Sequence, residues 1–509
     1  MPHQQIIALG GDLAAVRSLV ARVAPLVTYC GEAFAYHEER VDIAKRTATF
    51  GRESFAAMSA AGRLRWLNIA IGAKPLAEAG ITAPQAADRS FALGLSARST
   101  TLGDPRQPGT PGHRDGWLVG SPDAPPDLLL ILACEHAYSL AEFVAEVLQL
   151  VSGAGLAVLY SEAGTRLPKD EEHFGFRDGI SQPGVRGTVG DDPASLLTRR
   201  KLSPSHEDDA PEFSAPGEVL VWPGEFIFGY PMQDPHHFQR ALPENLVDPF
   251  LVDGSFLVFR RLRQHVGAFR RAARSLVEQL TAFEEFREVD EAWLQARLVG
   301  RWPSGAPVQV FENGDPHDPP GSLDRFNNFA FRNAVPEVTT LDGETIPGTA
   351  ADQNGLLCPF AAHIRKVNPR DARTNLGPAT QTQKLRLLRR GIPYGPAWQS
   401  SEDDDATDRG LLFISYQRSI RLQFETLTQD WMNSSINPEG SAGHDVLVGQ
   451  SRRESSGRTG VFTRKSGGPF RELATAEEWI EPTGGGYFFA PSRQAITSFL
   501  EAGEEGERQ

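Results

Sequence analysis

Three stretches of the sequence hold residues that could act together on a small molecule. The first is EEHFGFRDGISQPG, Glu171 to Gly184, in which Asp178 stands between Arg177 and Gly179, with Gly175 shortly before it. Alone it reads as a turn, because Asp-Gly is a favoured turn pair and an Asp carboxylate can cap its own backbone. The second is CPFAAHIRKVNPRDAR, where His363 lies among small and apolar residues before the chain turns basic through Arg365, Lys366, Arg370 and Arg373. Alone, His363 reads as a satisfied core histidine. The third, LRLLRRGIPYGP, sets Arg389 and Arg390 at the end of an apolar run, just before a Gly-Ile-Pro-Tyr-Gly turn. Alone, they are solvated arginines at a strand end. Together the three imply one chemistry. An imidazole can ligate a haem iron, an apolar wall can cover the ring, and arginines can pair with its propionates. A carboxylate and an arginine on the opposite face suit a peroxide. One moves a proton between its oxygens and the other stabilises the charge that develops as the O–O bond breaks.

Other chemistries lack their signatures. The 12 histidines form no H-E-x-x-H pattern and no zinc-like cluster. There is no G-x-S-x-G elbow, no phosphate loop and no dinucleotide fingerprint after a strand. Cys30, Cys134 and Cys358 are far apart and odd in number, which argues against a disulfide framework. A net charge of -14 argues against nucleic acid and anionic lipid as partners. No basic leader, twin-arginine pair or apolar window near the roughly 18 residues of a membrane span is evident, so a cytoplasmic protein that neither spans nor binds a membrane is expected. The acidic run Glu402 to Asp405 is either a Mn(II)-binding patch or a solvated loop.

The elements that must carry these residues are partly visible. The first hundred residues read as mostly helical and irregular. DLLLILAC is a continuous apolar run of buried-strand length, AYSLAEFVAEVLQL has helical spacing, and LAVLYSEAG reads as a second strand. The acidic, Pro-bearing stretch SPSHEDDAPEFSAPGE marks an expected boundary between domains 1–215 and 216–509. Beyond it VLVWPGEFIFGY and GSFLVFRRL restart the strand pattern. Val266, Phe269, Ala273, Leu276, Leu280 and Phe283 then form one apolar helical face, read as core. GLLFISYQ and GGGYFFAPS read as later strands. The second half thus repeats the strand–helix–strand logic of the first, an α+β pattern.

With these motifs in this order, the chain resembles the dye-decolorizing peroxidases, over roughly residues 90 to 495. The residues that carry the resemblance are the G-x-x-D-G motif Gly175 to Gly179, AAHIRKVNPR, RRGIPYG and RGLLFISYQ, with weaker support from WPGEFIFGY, DGSFLVFR and GGYFFAPS. The resemblance implies two ferredoxin-like halves, each an antiparallel sheet with peripheral helices, and one haem b held mainly by the C-terminal half. It makes His363 the proximal iron ligand, Asp178 the distal acid–base group and Arg389 its electrostatic partner. It places Arg365 among the cofactor-binding residues and Leu411 and Phe413 over the distal face. Asp445, in GHDVLVGQ, becomes the acidic partner of the imidazole's other nitrogen. Such a carboxylate fixes the tautomer and strengthens the ligand. Gly391 stands where some shorter members carry an amide side chain.

The implied function is reduction of hydrogen peroxide and oxidation of phenolic, dye-like or other bulky aromatic donors through an oxo-ferryl haem. Electrons from bulky donors would travel through surface aromatics, for which Tyr394 and Trp398 are offered beside plain packing. The rival reading is a haem-binding or electron-transfer protein without turnover. Whether the chain forms a homo-oligomer stays open.

Overall fold

The computed structural model describes residues 1–29, 31–33, 65–186, 220–234, 236–237, 240–242, 247–316, 327–339, 345–399, 406–440, 443–450, 457–463 and 471–502. The expected boundary at 215/216, the acidic run Glu402 to Asp405, and Cys30 lie outside them.

The apolar runs become the strands of one sheet. They are β1 (His3–Gly10), β2 (Arg65–Ile71), β3 (Leu128–Cys134), β4 (Ala157–Thr165), β5 (Ser255–Gln264), β6 (Leu388–Arg389), β7 (Ile392–Tyr394), β8 (Gly410–Gln417) and β9 (Ile480–Ala490). Their order is β6-β8-β7-β4-β1-β3-β2-β9-β5, and β8 also pairs with β5. All strands except β6 therefore close into a ring. Each half supplies four strands in the same order, fourth-first-third-second: β4-β1-β3-β2 and β9-β5-β8-β7. That is the ferredoxin-like order expected of each half. The halves join edge to edge, where Tyr394 meets Gly164 and Phe489 meets Ile71, so neither sheet keeps an open edge at those joints.

Strand alternation sorts the side chains. Ile6, Ala8, Ala70, Leu129, Ile131, Tyr160, Leu257, Phe259, Ile392, Tyr394, Leu412, Ile414 and Phe488 pack in one cluster inside the ring. The alternate residues of β3 (Leu128, Leu130, Leu132 and Cys134) face outward into a larger core. The helices α1 (Leu13–Val23) and α2 (Ala137–Ala154) cover that outer face, and α6 (Arg493–Glu501) packs beside α1. In the second half α3 (Val266–Thr281) buries the predicted stripe Val266, Phe269, Ala273, Leu276 and Leu280, whereas Phe283 falls past its end and is exposed; α4 (Glu291–Val299) packs against α3.

Three expectations are corrected. The first hundred residues contain two strands of the ring, β1 and β2, hidden because β1 begins with three polar residues (HQQ) and the apolar run of β2 is broken by Asn68 after an opening Arg65. VLVWPGEFIFGY forms only a two-residue strand, Leu220–Val221, because Pro223 starts a 3-10 turn that breaks the pattern. By length and composition Leu13–Ala33 is apolar enough to cross a membrane, contrary to the expectation that no window reaches that length. Within it, α1 places Val16, Leu19, Val20 and Val23 in the core.

Candidate active site

The outward face of β8 is one wall of a cavity with about 1600 Å³ of empty space, counted to its open mouth. Leu412 and Ile414 point into the ring, so Leu411 and Phe413 must point out, and both line the cavity. Val299, Ile364, Val367, Phe424, Leu427, Met432, Leu447 and Ile480 add apolar surface. Into this apolar space project His363, Asp178 and Arg389, brought together from distant parts of the chain.

His363 opens α5 (His363–Val367), behind the buried small residues Ala361 and Ala362. Asn368-Pro369 ends the helix after little more than one turn. Its Nδ1 lies 2.7 Å from Oδ2 of Asp445, whose side chain is fully buried. The other oxygen of Asp445 accepts the backbone N–H groups of Leu447 and Val448, each at 3.1 Å. A carboxylate so held is an acceptor, so the imidazole carries its proton on Nδ1 and keeps the Nε2 lone pair free. Lys366 donates to the carbonyls of Ser434 and Gly443 at 2.7 and 2.8 Å, and also to that of Asn437, fixing the loop that leads to Asp445. Asp445→Asn is therefore expected to weaken retention of a metal-bound group at His363 by about 10–100-fold. Competition for haem by apomyoglobin would measure it.

The opposite wall is the Asp178 turn. Gly175 and Gly179 adopt φ of 92° and 78°, values an L side chain rarely tolerates, and they fold the turn tightly. Glu172 clips it from inside by accepting the N–H groups of Phe174 and Phe176 at 2.9 and 3.0 Å. Asp178 accepts Gly179 N–H at 2.6 Å and pairs with Arg389 at 3.0 Å, its side chain 43% exposed toward the cavity. Burial pushes the Asp178 pKa up, but the Arg389 charge and the Gly179 N–H outweigh it and hold it below the ordinary Asp value. Arg389 is itself aimed by Ser181, whose carbonyl accepts its other nitrogen at 3.1 Å. Gln182 clasps the Arg389 backbone at both N–H and C=O.

Sequence reading missed several wall residues. Burial pushes the Glu172 carboxyl up to about 7, against two backbone N–H groups and Gln264 that pull it down. Arg301, buried on the wall, donates to the Gly305 carbonyl and the Asn327 side-chain oxygen, both neutral acceptors. Burial pulls its pKa down to about 10. Arg370 and Arg386 line the same wall. Buried guanidiniums facing a cavity call for anionic ligand groups, so this wall fits a porphyrin's two propionates. Their only sequence signal was basicity; nothing local marked which arginines face inward.

Arg365 is a correction. Two residues past His363 on a helix, it lies on the far side of α5, away from the cavity lining. There it pairs with Glu439 at 2.9 and 3.1 Å and stacks on Phe331 and Phe360. Tyr394 is no surface aromatic either: it is buried inside the ring, with its hydroxyl on Asp408 and Arg261 over its ring. Trp398 is partly buried against the core formed around the α3 residues Val266, Phe269 and Leu276, beneath Arg270.

Comparison with known proteins points the same way. A family model described as "Dyp-type peroxidase, C-terminal" matches residues 244–442. The chain is 30% identical to the dye-decolorizing peroxidase msp1 of Mycetinis scorodonius, over 85% of this chain and 76% of that one. It is 29% identical to the multifunctional dye peroxidase DyP2 of an Amycolatopsis species, over 85% and 82%. An ancestral D-type dye decolorizing peroxidase superposes with a TM-score of 0.73 at 27% identity, covering 98% of this chain and 96% of the other. The fungal DyP-type peroxidase of Auricularia auricula-judae superposes with a TM-score of 0.69 at 25% identity, covering 98% and 95%.

Proposed function

The chain belongs to the dye-decolorizing peroxidases, and from that footing we propose that His363, Asp178 and Arg389 are the working residues of a haem peroxidase that reduces hydrogen peroxide and oxidises dyes and other bulky aromatic donors. The observation that carries the assignment is the pairing of two fixed couples in one cavity, His363 with Asp445 and Asp178 with Arg389.

One haem b per chain is proposed. When bound, it supplies the iron at which peroxide is reduced and which stores the oxidising equivalents. The protein supplies everything else. Nε2 of His363 is the ligand atom, and Asp445 keeps its proton on the far nitrogen. Arg301, Arg370 and Arg386 hold the propionates. Leu411 and Phe413 would present apolar side chains to the bound ring. Asp178, ionised by its Arg389 and Gly179 partners, takes the proton from the inner peroxide oxygen and returns it to the outer one, which leaves as water. Arg389, paired with Asp178 on the same wall, would stabilise the negative charge that develops on the departing oxygen.

Arg389→Leu is the experiment. The haem spectrum should persist, while the second-order rate of reaction with peroxide falls by about 10²–10³, as for removal of one preorganised charge-stabilising donor. A rate within twofold of the parent would refute the Arg389 role.

A further inference from the structure

A second cleft, with about 670 Å³ of empty space, is lined by Arg89, Ser90, Leu93, Arg98 and Arg421. Arg89 and Arg421 are exposed, and among the described residues no ion pair engages either guanidinium. Leu93, 46% exposed, supplies an apolar edge. Two guanidiniums without an ion pair, Arg89 and Arg421, beside a third that is neutralised by Glu425, run against a chain charge of -14. They make a local basin for an anion on a surface that otherwise repels one.

The floor of the cleft leads inward. Arg98 grips the buried carboxylate of Glu425 with two nitrogens, at 2.9 and 2.7 Å, and Ser90 adds a third hydrogen bond at 2.9 Å. The fourth donor to Glu425 is the hydroxyl of Tyr487, at 3.1 Å. The Tyr487 ring is buried and sits edge-on to Phe424 at 6.2 Å, and Phe424 lies 5.9 Å from Phe413. Both phenylalanines line the main cavity. An unbroken run of contacts thus joins the arginine cleft to the cavity, through one oxidisable ring that already has a proton acceptor.

We propose that the cleft binds a phenol carrying an anionic group, and that Tyr487 relays its electron to the main cavity. The binding half stands alone; the relay half rests on the peroxidase reading. Each oxidising equivalent derived from peroxide takes one electron from Tyr487, and the phenolic proton moves along the hydrogen bond to Glu425, leaving a neutral tyrosyl radical. The bound phenol then gives one electron, Glu425 returns the proton to Tyr487, and the donor releases its own hydroxyl proton to solvent. The donor leaves as a phenoxyl radical. The Arg98 grip keeps Glu425 in place throughout, and Arg89 and Arg421 take the donor's anionic group.

The test uses resting holoprotein and two probes, 4-hydroxybenzoate and phenol, titrated by calorimetry. Wild type should bind 4-hydroxybenzoate more tightly than phenol, and the Arg89→Glu/Arg421→Glu double variant should weaken 4-hydroxybenzoate by at least about tenfold while phenol moves by less than about twofold. Equal affinity for the two probes in wild type, or unchanged 4-hydroxybenzoate affinity in the variant, overturns the site. The relay is read by electron paramagnetic resonance after freeze-quenching with one equivalent of peroxide. A tyrosyl signal is expected in wild type and should diminish in Tyr487→Phe; an undiminished signal overturns the relay. Holoprotein that ignores peroxide altogether would remove the peroxidase reading and the relay with it, leaving the binding result to stand or fall separately.

Discussion

His363→Ala, purified from haem-replete cells, is expected to lack the Soret band or to carry it shifted and weak. It should lose peroxide-dependent dye oxidation to background. The expectation follows from position. His363 lines the cavity with one nitrogen tied back to a buried carboxylate, and this pairing is what would make the remaining nitrogen a good ligand. The loss should exceed the roughly 10–100-fold that removal of an outer partner such as Asp445 costs. A second readout separates ligation from folding. Removing the ring leaves the buried Asp445 carboxylate with only two backbone donors, and leaving a buried acceptor short of a partner costs about 1–3 kcal/mol or more, so the melting temperature should drop as well. Added imidazole should then restore both the spectrum and part of the stability. Full haem retention with native spectra would move the ligand elsewhere.

Asp178→Asn is the second large effect. The amide keeps the shape of the turn and cannot accept a proton, so the reaction with peroxide should slow by about 10²–10⁴ while the resting haem spectrum stays unchanged. The pH dependence has a definite sign. Asp178 is held below its ordinary value by Arg389 and Gly179, against burial, so the carboxylate proposed to accept the proton stays ionised to lower pH than an ordinary Asp. The wild-type rate should therefore hold into acid and fall only below the usual Asp range. The same depressed pKa ties part of the stability of the turn to the ionised form, a contribution present above the unfolded Asp value and lost in acid. Glu172 is the other cavity carboxylate, and its pKa near 7 gives it a separate window. A limb near neutrality that survives in Asp178→Asn would belong to Glu172. Stopped-flow rates from acid to neutral pH check both. A rate in Asp178→Asn within a few-fold of wild type would remove the acid–base role.

How far the sequence could be read is itself physical. The strands whose apolar runs are continuous were legible: DLLLILAC has both faces buried, and GLLFISYQ has one face in the ring and the other on the apolar cavity wall. β1 and β2 were not, since polar residues open β1 and interrupt β2. The repeated strand–helix–strand logic was visible, but ring closure was not. It rests on single residue pairs between β4 and β7 and between β2 and β9, which leave no local pattern. Within the site, Asp178, His363 and the pair Arg389 and Arg390 were singled out by their neighbours in the chain; the choice of Arg389 over Arg390, and Asp445 altogether, came from family resemblance alone. The wall arginines show the limit. Arg365 and Arg370 look alike in RKVNPR, yet one end of that segment turns into an ion pair with Glu439 and the other lines the cavity. Helix phase and the break at Asn368-Pro369 decide which is which, and only the fold fixes that phase.

The most direct measurement of the central claim is a hemin titration of haem-free wild type, followed by one equivalent of hydrogen peroxide, with the absorption spectrum recorded throughout. The account predicts a Soret band that saturates at one haem per chain, changes at once on peroxide, and returns to the resting spectrum when an aromatic donor is added. A protein that takes up no haem, or one whose bound haem shows no change with peroxide, would contradict it.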